Sequence, residues 1–273
     1  MRILQGLGLW VMALTLGFVA YAGARAPTPP KGLQPCEKPF ELATAPDWPI
    51  GEKIRYSLWL DGLAVGSVEF RVANVGPTSG AEAYEFVSRF KVDELVATVL
   101  PVNGTAHSVV EQISLVPLRM WNDYFLNGKK YHESFVQESR GKIKAVRERE
   151  GSAKLKTERT FPGPVVDFVS GFYLLRAARM RAPACALVFG SHRAFTVALE
   201  PQGTETVETP IGQRPADKIR LRYGAERSKR TREALVWLSK SDDRLPYRVE
   251  IKGEHHIMVK IDMYDPGQIS ILP

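Results

Sequence analysis

From Gly51 onward, apolar and polar residues alternate with a period of two. Ile54, Tyr56, Leu58 and Leu60 alternate with Arg55, Ser57 and Trp59, and Val68, Phe70 and Val72 with Glu69 and Arg71. Tyr84, Phe86, Ser88 and Phe90 follow the same rule, as do Phe195, Val197 and Leu199, then Ile219, Leu221 and Tyr223. Tyr247, Val249 and Ile251 lead to Ile257, Val259, Ile261 and Met263. Successive side chains of a strand point to opposite faces, so this pattern predicts antiparallel strands with one face buried and one in water. Turn signals separate them at Asp61-Gly62, Gly76-Pro77, Asn127-Gly128, Gly141, Gly151, Gly203 and Gly212. Asn127-Gly128, between Met120–Leu126 and Lys129–Glu138, is the strongest hairpin signal.

One segment breaks the pattern. Val165–Arg181 carries Val169, Phe172, Tyr173, Leu174 and Leu175 at helical spacing, with Arg176, Arg179 and Arg181 at its C-terminal end. Pro162 and Pro164 precede it, Pro183 follows it, and Asp167 or Ser170 can cap it. A shorter helical piece is expected at Asp93–Leu100. A long sheet must bury its apolar face on something. The predicted architecture is therefore mainly β: one domain over residues 51–265, a curved antiparallel sheet or incomplete β-barrel wrapped around one helix near 165–181, with a short tail at 266–273.

The N-terminal segment reads differently. Arg2 is the only charge before Arg25, Ile3 to Ala24 is almost wholly apolar, and Ala22-Gly23-Ala24 is a small-x-small site. Residues 1–24 therefore read as a secretory signal peptide; the alternative is an uncleaved inner-membrane anchor. Residues 25–50 contain seven prolines and read as an extended arm. Cys36 and Cys185 are the only cysteines. In an oxidising compartment they can pair and pin the arm to the body, or they remain two thiols. With 44% apolar and 25% charged residues, the 273-residue chain has an ordinary globular composition, which excludes a disordered or multi-span membrane protein.

Export decides how the net charge of +7 is read. The expected partners of a basic surface outside the cytoplasm are anionic lipids or envelope polymers, not nucleic acid. The densest basic run is Arg214, Lys218, Arg220, Arg222, Arg227, Lys229, Arg230 and Arg232. Within it Arg220, Arg222, Arg227, Lys229, Arg230 and Arg232 are the candidates for an anionic surface; the alternative is the solvated face of a strand pair.

Three stretches carry a resemblance. They are Gly51-Glu52-Lys53-Ile54-Arg55-Tyr56 with Asp61-Gly62-Leu63-Ala64-Val65-Gly66; Asp167-Phe168-Val169-Ser170-Gly171-Phe172-Tyr173-Leu174-Leu175-Arg176; and Val236-Trp237-Leu238-Ser239 with Asp242-Asp243-Arg244-Leu245-Pro246. Together they resemble the DUF3108 family of exported bacterial proteins of unknown function. Phe168 and Gly171 depart from it, standing where a Pro and an alanine-like residue are expected. The resemblance implies a compartment and a fold, and no catalytic residues. The shape it implies is similar to the half-barrels of bacterial lipoprotein carriers, which hold acyl chains between a sheet and a helix.

Motifs for catalysis are missing from the sequence. No H-E-x-x-H, C-x-x-C, Walker loop or G-x-S-x-G occurs, so no metal, cofactor or nucleophile is expected. His255-His256 cannot share one ion in a strand, where neighbours face apart. Asp242-Asp243 reads as a hairpin turn, and Gly62 to Gly66 as a turn or bulge. What stands out is the inward row of large side chains: Tyr56, Phe70, Phe86, Phe90, Phe172, Tyr173, Phe195 and Tyr247. These either fill an ordinary core or line an apolar groove for a lipid or other amphipathic ligand, with Trp59 or Trp237 at its rim. The expected function is a non-catalytic envelope protein that binds such a ligand; the alternative is a structural or assembly factor that binds another envelope protein.

Overall fold

A computed structural model describes residues 36, 38–40, 42, 46–78, 80–98, 101–139, 141–178, 182–190, 192–210, 212–226, 228, 230–252 and 258–263. The expected signal (1–24), most of the arm, Arg179, Arg181, Arg227, Lys229, His255, His256 and the tail lie outside these residues.

Alternation sets the strands. The first eight are β1 (Lys53–Leu60), β2 (Leu63–Thr78), β3 (Ala81–Val92), β4 (Val102–Glu111), β5 (Pro117–Leu126), β6 (Lys129–Ser139), β7 (Lys142–Arg149) and β8 (Leu155–Thr160). After the two-residue β9 (Val165–Val166) come β10 (Ala184–Gly190), β11 (Arg193–Thr209), β12 (Gly212–Ala225), β13 (Arg232–Ser239), β14 (Pro246–Lys252) and β15 (Met258–Met263). All fifteen form one sheet in the order β8-β7-β6-β5-β4-β3-β2-β1-β15-β14-β13-β12-β11-β10-β9. Among these strands β9 and β10 pair in parallel; the rest is two antiparallel meanders joined where β1 pairs with β15. At Asn127-Gly128 both backbones have positive φ (48° and 76°), the geometry a two-residue hairpin turn requires and that Asn and Gly reach at least cost.

The sheet curls until its two ends meet through side chains. Arg159 of β8 grips Glu226, just beyond β12, with both guanidinium nitrogens. Beneath that pair, Phe135 of β6 and Phe161 lie 5.8 and 6.1 Å from Phe189 of β10. Among the described residues no backbone ladder crosses this seam, so the barrel is incomplete.

Among the described residues two helices interrupt the strands: α1 (Glu94–Ala97) and α2 (Phe168–Ala177). The helix expected from Val165 starts at Phe168 instead. Val165 and Val166 are β-branched and pair with Leu187 and Val188 of β10. Asp167 is extended (φ −95°, ψ 179°); its carboxylate accepts from the Val169 and Ser170 amides, and Ser170 Oγ accepts from the Asp167 amide. This reciprocal capping box fixes the start of α2. Leading out of β9, which is parallel to β10, α2 lies inside the curve of the sheet. Its Val169, Tyr173 and Leu174 share a core with Tyr84, Phe86, Val110 and Val188.

The arm is a strap rather than a free linker. Cys36 and Cys185 form a disulfide with Cα atoms 5.4 Å apart. Beside it, the Cys185 amide donates to the Lys38 carbonyl at 2.9 Å and the Phe40 amide to the Cys185 carbonyl at 3.3 Å. Further on, Trp48 is buried, its ring centroid 5.1 Å from Tyr173 and 5.6 Å from Tyr84 and Phe86.

Candidate functional site: an apolar groove between helix and sheet

Inward-facing residues of a curled sheet converge, and a single ten-residue helix does not fill the space they enclose. Between α2 and the walls formed by β1–β3 and β10–β14 a cavity of about 260 Å³ remains. By the same measure one water molecule needs ~10–15 Å³, so this is not a packing defect. The walls are Leu58, Val68 and Phe90 on one side and Val197, Leu199, Leu221, Val236, Val249 and Ile251 on the other. Small side chains, Ala186 and Ala234, and Gly171 on the helix, supply part of the width.

The floor is aromatic. Phe172 of α2 stacks on Phe70 of β2 with ring centroids 3.8 Å apart and planes 4° from parallel, and Tyr56 meets it edge-on at 6.0 Å. Phe172 is half-buried. Its replacement by Ala should therefore cost less than the ~3–5 kcal/mol typical of a fully buried aromatic, while enlarging the groove. Thermal melting of Phe172→Ala checks this; a loss at or above that range would make Phe172 core and not floor.

Polar groups on the lining are few: Tyr56, Tyr223 and Asp167. Asp167 is fully buried, and besides capping α2 it accepts a 2.5 Å hydrogen bond from Ser108 Oγ. Burial pushes its carboxyl above the usual range, against the pull of the Ser108 and Ser170 hydrogen bonds. Where α2 ends, a buried polar cluster follows. Arg176 donates to both oxygens of buried Glu52 at 2.7 and 2.8 Å and to the Asp243 carbonyl at 3.2 Å. Its guanidinium lies over the rings of Trp48 and Tyr173, 5.2 and 5.4 Å from their centroids. Burial raises the pKa of Tyr56 and of Tyr173 well beyond the usual phenol range, so both remain neutral.

The expected groove residues separate into three groups. Tyr56, Phe70, Phe90, Phe172 and Phe195 line the cavity. Phe86 and Tyr173 do not; they stack on each other at 3.7 Å in the core under Trp48. Tyr247 does not because a β-bulge shifts the β13–β14 register between Trp237 and Leu238, placing Pro246 opposite Leu238. Pro246 then lines the cavity, and Tyr247, off the lining, packs at the margin between the inner core cluster that includes Leu245 and the cluster of Val207, Ala216 and Trp237. Trp59 and Trp237 are absent from the lining, since each alternates with an inward residue.

Among the described residues the cations of the basic run lie on both faces of the sheet. Arg222 pairs with Glu200, Arg220 with Glu200 at 3.7 Å and Gln202 at 2.9 Å, and Lys218 with Glu205 at 3.0 Å. Strand β11 thus supplies counter-charges to that face. Arg232 is directly opposite Tyr223, on the other face of the sheet from Arg222. Ser239, Ser241 and Asp243 close the β13–β14 turn through mutual hydrogen bonds. His107 and His132 pair with Glu85 and Asp123 at 3.1 and 2.8 Å.

Sequence pattern did not single out Phe40, Phe168 or the Glu52–Arg176 pair. Phe40 sits in a segment without periodicity and reaches the cavity only because the disulfide and the backbone bonds to Cys185 place it there. The Cys36–Cys185 pair was the sign in the sequence that the arm docks, and it forms.

Comparison with known proteins adds a family and no activity. No curated protein matches the chain. A β-barrel-like protein of domain of unknown function DUF1849 from Brucella abortus is 12% identical, with a TM-score of 0.47, and the match covers 79% of this chain and 98% of that one. The hypothetical lipoprotein YmcC from Escherichia coli is 8% identical, with a TM-score of 0.32, over 79% of this chain and 84% of that one. The family model of DUF3108, described as a protein of unknown function, matches residues 53–254, and the chain belongs to that family.

Proposed function

We propose that the protein is a non-catalytic, exported envelope protein that holds a lipid or other amphipathic ligand in the groove beside α2. The observation that carries this reading is the cavity itself: about 260 Å³, walled almost entirely by apolar side chains, with a stacked Phe70–Phe172 floor. Apolar space of this size favours an apolar occupant over ordered water, which needs polar partners. The apolar N-terminal run and the Cys36–Cys185 disulfide support export. The test is to purify the protein, extract it with organic solvent and identify what leaves by mass spectrometry. About one equivalent of an acyl-chain compound is expected. An empty extract, together with failure to bind an uncharged fluorescent apolar probe, would sink the proposal.

The second reading, an assembly factor binding another envelope protein, is favoured by β8, which ends the sheet order and can accept an added strand. Its sequence argues against that use. Lys156, Glu158 and Arg159 lie along it, and charged side chains on an edge strand discourage pairing.

A further inference from the structure

Large side chains dominate the inward face of the barrel, yet one cross-strand row of that face is mostly small or polar. Directly opposite one another from β2 to β6 stand Phe70, Ser88, Ala106, Asn122 and Glu133. Residues directly opposite in an antiparallel pair project to the same face. Phe70 is the groove floor, so the whole row lies inside the barrel and leads away from that floor. In the adjoining row Gly104 is opposite both Phe90 and Tyr124, and a Cβ there would come within 2.7 Å of the Tyr124 Cβ.

Small residues at these positions leave a side chamber of about 20 Å³, whose lining includes Ser88, Gly104, Ala106, Asn122 and Phe90. Phe90 also lines the groove, so the two spaces share a wall. By the measure that gives one water ~10–15 Å³, the chamber has room for about one hydroxyl-sized group. Asn122 is 6% exposed, and its Oδ1 is buried without a hydrogen-bond partner among the described residues. An unpaired buried acceptor lowers stability, and a leucine of similar size would avoid that cost. The charges farther along the row are committed to each other: Glu133 accepts from the Tyr124 hydroxyl at 2.8 Å and pairs with Arg147 at 2.9 Å. Ser88 and Asn122 present a hydroxyl and an amide to the chamber, groups that suit an uncharged hydrogen-bonding head and not an ion.

We infer that the ligand is a hydroxylated, uncharged lipid, its chain along the Phe70–Phe172 floor and its hydroxyl in the chamber beyond Phe90, donating to Asn122 and meeting Ser88. This rests on the groove being a lipid site and adds the class and orientation of the ligand.

The experiment compares three decyl probes on the purified protein, each displacing N-phenylnaphthylamine: 1-decanol, 1-chlorodecane and decanoate. Decanol should bind ~10-fold or more tightly than decanoate, whose charge finds no counter-charge in the chamber. Asn122→Leu should weaken decanol by ~10-fold and leave chlorodecane no weaker than before, because only the hydroxyl uses the amide. Ser88→Ala should act on decanol in the same direction by a smaller factor. The melting temperature of Asn122→Leu should be no lower than that of the native protein, since the substitution removes an unpaired acceptor. A lower one would make Asn122 a structural residue and overturn the inference. So would decanoate binding as tightly as decanol, or decanol binding that survives both substitutions; either result leaves the groove as a lipid site and the chamber as a place for water. Displacement by none of the three would overturn the groove reading itself.

Discussion

Replacing Arg176 by Met should cost about 3–5 kcal/mol, the loss expected when one partner of a buried ion pair is removed. Arg176 is 2% exposed and Glu52 5% exposed, so water cannot screen the carboxylate left behind. Glu52→Leu combined with Arg176→Met should recover most of the loss, because two apolar side chains leave no charge to solvate. Urea unfolding of Arg176→Met, Glu52→Leu and the double variant checks this. A single variant as stable as the native protein, or a double variant worse than both, would show that the pair acts in some other way. The pair joins the end of α2 to the entry of β1 and to the β13–β14 turn. Its loss should loosen the contact between the end of α2 and these two elements first.

The strands were legible in the sequence because alternation is a local property. Ile54, Tyr56, Leu58 and Leu60 point inward, as their spacing requires, and all are buried. The Asp167–Ser170 cap was legible for the same reason: both partners lie within one turn. The helix start was not, since Val165 and Val166 fit a helical stripe by polarity and are drawn off it only by β10, which arrives some twenty residues later. Nor did alternation foresee the bulge that turns Tyr247 away. The division of the aromatic row was the least legible part. Phe86 and Phe172 are alike in sequence and both face inward; one becomes core because Trp48 and Tyr173 close over it, the other stacks on Phe70 and lines the cavity. Pairs far apart in the chain, such as Glu52 and Arg176, leave no local trace at all.

Breaking the Cys36–Cys185 bond should be the other large effect. The bond closes a loop of 149 residues. Loop-closure entropy for that length gives an upper limit of roughly 5 kcal/mol. For a chain of this size each kcal/mol shifts the melting temperature by about 2–4 °C, so the reduced protein should melt on the order of 10 °C lower. Two anchors hold the arm, and they should respond differently. Trp48 sits deep among Tyr84, Phe86 and Tyr173 and is also held by the Pro46 carbonyl, which accepts from the Tyr84 hydroxyl at 2.8 Å. Phe40 is only partly buried against the groove wall and is held there by its backbone bond to the Cys185 carbonyl and by the disulfide beside it. Reduction should therefore free residues 36–42 before Trp48 leaves, withdrawing Phe40 from the groove wall. A Cys36→Ser, Cys185→Ser variant should show early protease cleavage confined to the segment before Trp48, a lower melting temperature, and weaker retention of an acyl-chain probe. Unchanged melting and unchanged cleavage would mean that the arm docks through Trp48 alone, with the disulfide adding nothing to the wall.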